Sequence, residues 1–93
     1  MIIAFDVEGT ILKDAPNDNE VRPEIVEMLK VLSRFHNILL WSYNGAEKAR
    51  DVGKRFDLEP YLKGYCRKYK TTLVDLAFDD MVLMDNAVVN VRV

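Results

Sequence analysis

The chain has 93 residues, 49% of them hydrophobic and 30% charged, which suits a single domain, residues 1–93, large enough to bury a core. Its 13 basic and 15 acidic side chains leave a formal charge of -2, so net charge does not indicate nucleic acid as a partner. One cysteine, Cys66, excludes an internal disulfide framework. The absence of a basic leader and of an 18-residue apolar run sets the expectation of a cytoplasmic protein with no membrane partner.

Residues 2–6, IIAFD, form an apolar run of the kind buried on both faces of a parallel sheet, and it ends abruptly on Asp6 with Glu8 just beyond. Residues 13–23, KDAPNDNEVRP, are rich in turn formers and read as one surface loop. Pro23 suits a first helical position. Ile25, Met28, Leu29, Leu32 and Phe35 recur at helical spacing, predicting a helix over 23–35.

A second buried strand is expected over 37–42, NILLWS, with Trp41 in the core and Ser42 at its end. Asn44 and Glu47 have the spacing of a capping box. Ala46, Ala49, Val52, Gly53 and Phe56 then line one face of a second helix. Residues 61–66 suggest a third strand, and TTLVDLAF, 71–78, is a strand by its β-branched and apolar content, although Leu73, Leu76 and Ala77 also fit a short helix. Val89 to Val93 alternate like an edge strand. Strands alternating with helices argue for an α/β domain with a mainly parallel sheet of about five strands.

In such a sheet ligands bind beyond the carboxyl ends of the strands, where the strand order reverses. Three apolar runs deliver polar groups to that rim: Asp6 with Glu8, Ser42, and the pair Asp79–Asp80. An acid preceded only by apolar residues is partly desolvated unless a cation or several hydrogen bonds meet it. His36 and the cluster Lys63, Arg67, Lys68 and Lys70 read as surface.

Taken together, FDVEGTIL, ILLWSYNG and CRKYKTTLVDLAFDD resemble, in order, the signatures of the haloacid dehalogenase superfamily. One departure stands in the first of them, where Glu8 occupies the place of the usual second aspartate. With about ten residues between the first strand and first helix there is no room for a cap domain, so the likeness is to a small capless member.

The resemblance implies a three-layer Rossmann-like fold and a Mg²⁺-dependent phosphatase working through an aspartyl-phosphate. By position, Asp6 would be the nucleophile and Glu8 the acid and base. Ser42 and a lysine would hold the phosphoryl oxygens, and Asp6, the backbone carbonyl of Glu8 and Asp79 or Asp80 would bind the metal. Bottom-up chemistry agrees, because a carboxylate approaching a phosphate dianion needs a hard divalent cation between them.

Two assignments stay open. Lys68 and Lys70 both precede the last signature, and Lys70, nearer the strand, is preferred. Residues 81–86, MVLMDN, also read as an apolar run ending in acid, so Asp85 and Asn86 compete with Asp79 and Asp80. Asp85 would leave almost no connection before the final strand, whereas a parallel neighbour needs a crossover of about a dozen residues. Asp79–Asp80 is therefore preferred, with the last strand open to an antiparallel course.

The extra methylene of Glu8 moves its acid by roughly 1 Å, enough to slow catalysis on the order of a hundredfold. The second reading is accordingly a weak or inactive phosphate-binding or protein-interaction module on the same frame. A capless site favours a phosphorylated macromolecule as substrate, or a homo-oligomer whose neighbouring copy supplies the lid.

Overall fold

A computed structural model describes residues 1–68, 72–81 and 84–93. The apolar runs become strands: β1 Ile2–Asp6, β2 Asn37–Ser42, β3 Gly64–Arg67, β4 Val74–Asp79 and β5 Ala87–Arg92. They form one sheet of order β3-β2-β1-β4-β5 with every neighbouring pair parallel. The chain steps outward from β1 to β3 and then crosses back to place β4 on the other side of β1. β1 and β4 thus flank the point where the order reverses, and their carboxyl ends carry Asp6 and Asp79.

The first helix, α1 Pro23–Leu32, starts on its proline as the sequence suggests but stops before Phe35, which is 78% exposed. The chain leaves the helix at Ser33, whose hydroxyl donates to the Lys30 carbonyl (2.6 Å), and turns so that the Asn37 N–H can donate to the Met1 carbonyl at the start of the β1–β2 ladder (3.0 Å). The second helix, α2 Ala46–Arg55, has no capping box. Gly45, at φ 104°, takes the cap position and no side chain bonds there. A short 3₁₀ turn at Glu59–Tyr61, started by Pro60, occupies part of the expected third strand and delays β3 to Gly64.

Alternation along the strands sorts the interior. Ile3, Phe5, Ile38 and Leu40 join Ile25, Val26 and Leu29 of α1 and Ala49 and Val52 of α2 in one cluster, so both helices cover the same face. Phe5 and Phe78 stack across β1 and β4, ring centres 4.8 Å apart. On the opposite face Ala4, Trp41, Val74, Ala77 and Met84 form a smaller cluster, with Trp41 fully buried as expected.

β5 takes the parallel of the two courses left open for the last strand, running beside β4 from Val74 next to Ala87 to Asp79 next to Arg92. Residues 80–86 connect the two strands, and none of those described is helical. At about 3.3–3.6 Å per extended residue, such a link can run back along a six-residue strand. Asn90 fastens it, accepting from the Met84 N–H (2.9 Å) and donating to the Met84 carbonyl (3.2 Å), while Met84 plugs the smaller core. Beyond the strand, the Val93 N–H donates to the Asp79 carbonyl (2.8 Å) and Arg92 Nε to the Asp80 carbonyl (3.0 Å). The last strand therefore braces the two acids at the rim.

Candidate metal and phosphate site

After Asp6 the chain makes one wide turn, Val7–Ile11, closed by the Leu12 N–H donating to the Val7 carbonyl (2.9 Å). Glu8 and Gly9 depart from helical angles there, and Gly9 sits at φ 79°. Glycine is favoured on two counts: the left-handed backbone, and the Asp80 carboxylate, which would have to shift to admit a Cβ at this position. Arg22 holds the turn, its guanidinium donating to the carbonyls of Gly9 and Val93 (3.0 Å each).

Asp6, Asp79 and Asp80 converge, each offering a carboxylate oxygen within 4.8 Å of the others. Lys68, at the end of β3, reaches between two of them, with Nζ 2.6 Å from Asp6 Oδ1 and 2.6 Å from Asp79 Oδ2. Asp6 is 2% exposed and Lys68 3% exposed, so the pairs are shielded from solvent. Thr10 Oγ1 donates to Asp6 Oδ2 (3.2 Å), and the Met81 N–H donates to Asp79 Oδ1 (2.9 Å).

Among the described residues one ammonium, that of Lys68, is paired with these carboxylates. Burial is the largest influence on Asp6 and raises it from 3.8 to about 7, with Asp79 and a hydrogen bond to Asp80 adding to the rise against the pull of Lys68. For Lys68 burial works against the charge, but the hydrogen bonds to Asp6 and Asp79 outweigh it and hold the ammonium above its ordinary value. The proton thus stays on Lys68. Three hard oxygen donors this close together fit a small divalent cation, which prefers one or two carboxylates with water and substrate completing its shell.

Glu8 points elsewhere. Ser42 Oγ donates to both Glu8 carboxylate oxygens (2.9 Å each), and Asn44 Nδ2 donates to Oε2 (3.1 Å). This is where Asn44 goes instead of capping α2. Around both groups lies an open cleft of about 350 Å³ whose lining includes Asp6, Glu8, Gly9, Lys48, Lys68 and Asp80. Asp14, Ala15 and Asp18 of the 13–22 loop lean over it, held by the Leu12–Val21 bridge and by the Lys13 N–H donating to the Glu20 carbonyl (2.9 Å). Tyr43 faces Lys68 from the side, its ring centre 4.8 Å from Nζ.

The residues singled out by sequence therefore gather at one rim in two groups, Asp6 with Asp79 and Asp80, and Glu8 with Ser42. Asp85 is exposed and belongs to neither. Lys70 lies outside the described residues; among the described residues it is Lys68 that meets Asp6 and Asp79. Thr10, Asn44, Lys48 and Arg22 were not foreseen. Thr10 alone had a legible signal, since a hydroxyl four residues after Asp6 follows the same turn. No protein-family model, curated protein or solved structure matches this chain.

Proposed function

We propose that this chain is a Mg²⁺-dependent phosphohydrolase of the capless haloacid dehalogenase type, in which Asp6 is the nucleophile. The observation carrying this reading is the cluster of Asp6, Asp79 and Asp80, the first two buried and paired with the Lys68 ammonium, at the strand ends where the sheet order reverses. Asp6, Asp79, Asp80 and the Glu8 backbone carbonyl would hold the ion. When bound, it screens the repulsion between a carboxylate and an incoming phosphate dianion.

Asp6 then attacks phosphorus, forming an acyl-phosphate bond as the bond to the leaving oxygen breaks. Glu8 gives that oxygen a proton and later takes one from the water that releases phosphate and restores the Asp6 carboxylate. Lys68 and Ser42 stabilise charge on the phosphoryl oxygens. The open cleft suits a phosphate presented by a cytoplasmic macromolecule, or a homo-oligomer that closes it. The finer fold assignment, a three-layer Rossmann-like frame, is part of the same proposal; the described residues supply its sheet and one helical layer.

One observation favours the second reading, a weak or inactive phosphate-binding or protein-interaction module: Glu8 is engaged with Ser42 and Asn44 and must leave both to reach a leaving group. Hydrolysis of an aryl phosphate with and without magnesium, by the wild type and by Asp6→Asn, separates the two. A phosphohydrolase needs the ion and dies with Asp6→Asn; a binding module shows no magnesium-dependent turnover.

A further inference from the structure

Ser42 and Asn44 are arranged as donors aimed at an anion, and the anion they hold is a side chain of the same protein. The backbone N–H of Asn44 donates to Ser42 Oγ (3.0 Å), which commits a lone pair of that oxygen and leaves its hydrogen to point outward. That hydrogen meets both Glu8 oxygens at 2.9 Å, and Asn44 Nδ2 adds a second donor at 3.1 Å. Ser42 is fully buried at the end of β2, so its direction is set by the sheet. Asn44 is free for this task because Gly45, not Asn44, caps α2. Glu8, by contrast, is carried on the turn after β1 and is partly exposed, lining the cleft.

We infer that Ser42 and Asn44 form an oxyanion subsite and that the Glu8 carboxylate is its built-in occupant, which a tetrahedral oxyanion such as inorganic phosphate must displace. The identity of the anion rests on the phosphate-handling function proposed above. The physics is that of competition: two anions cannot share two donors a few ångströms apart, so phosphate binds only in the fraction of molecules whose Glu8 has swung out, and its apparent affinity falls by that fraction. Asn44 thereby becomes a binding residue, and Glu8 a gate on its own site.

The test is calorimetric titration of inorganic phosphate into the full chain, with and without magnesium, for the wild type, Glu8→Ala, Glu8→Gln and the double variant E8A/N44A. Emptying the subsite should tighten phosphate binding about tenfold or more in Glu8→Ala, and less in Glu8→Gln, whose neutral amide still accepts the two hydrogen bonds. Adding Asn44→Ala should reverse most of the gain. Phosphate binding no tighter in either single variant than in the wild type overturns the inference, and far-ultraviolet circular dichroism shows that each variant is folded. A separate magnesium titration without phosphate reports on Asp6, Asp79 and Asp80 alone. Failure to bind the ion there would remove the metal reading, while the titrations run without magnesium would still decide the subsite.

Discussion

At one end of the rim Asp6, Asp79 and Asp80 gather, with the Lys68 ammonium against the first two, while at the other the Glu8 carboxylate takes its hydrogen bonds from the neutral groups of Ser42 and Asn44. The first group is rich in carboxylates and largely buried, an arrangement that could hold a divalent cation. The second is locally satisfied and half-open to solvent, so it gains nothing from one and resists a second anion. Asp6 and Glu8, two acids within one short turn, thus have different surroundings, and the difference comes from which donors each carboxylate meets.

The largest expected effects concern the carboxylate-rich half. Asp6→Asn should lower magnesium-dependent aryl phosphate hydrolysis by roughly a thousandfold or more, because the amide cannot form the acyl-phosphate; steady-state kinetics measures it. Lys68→Met should cost about 3 to 5 kcal/mol of stability in urea unfolding at neutral pH, since it removes the buried ammonium that meets the Asp6 and Asp79 carboxylates. That loss should shrink on acidification, as the carboxyls take up protons.

Asp6 sharpens the contrast through pH. Its carboxyl lies at about 7 in the folded chain and at an ordinary 3.8 when unfolded, so between those values the folded state binds the extra proton. The stability that Asp6 contributes without metal should therefore be fully present below about pH 4 and be lost as pH rises through about 7, by on the order of 4 kcal/mol. Asp6→Asn should flatten that part of the profile, and added magnesium, which displaces the proton, should stabilise increasingly across the same window. Denaturant midpoints taken at a series of pH values decide this.

Gly9 links the two halves. Gly9→Ala strains a left-handed backbone and presses on the Asp80 carboxylate, so about 1 to 3 kcal/mol of stability should be lost and magnesium should bind more weakly. Unfolding and ion titration of the same variant measure both. The smallest effect is expected from Glu8→Asp, whose shorter arm withdraws from Asn44: turnover should stay within about tenfold of the wild type or rise. A loss as deep as that of Asp6→Asn would show that Glu8's length is required where it sits.

Much of the rim was legible along the chain. An apolar run that ends on a carboxylate reports a strand end, and Ile2–Asp6, Asn37–Ser42 and Val74–Asp79 each became strands bearing their polar group at the carboxyl end. The helical spacing from Pro23 and from Ala46 was equally plain, because an amphipathic period is written locally. Phe35 misled because it fits that period, yet the chain must turn away at Ser33 to begin β2. The 3₁₀ turn at Pro60 cut short the third strand for a similarly local reason that the apolar pattern did not weigh.

By itself the sequence determined which segments are strands and helices and which acids stand at strand ends, because burial patterns of period 2 and 3.6 need only near neighbours. Which partner each polar group finds was decided by tertiary structure alone. Lys68 meets Asp6 and Asp79 only because the strand order sets β4 beside β1, and Asn44 leaves its helix for Glu8 only because β1 and β2 run side by side. β5 likewise runs parallel to β4, with Met84, just ahead of it, fastened by Asn90. Contacts between residues distant along the chain cost loop-closure entropy and are repaid only once the whole sheet forms, so no local pattern records them.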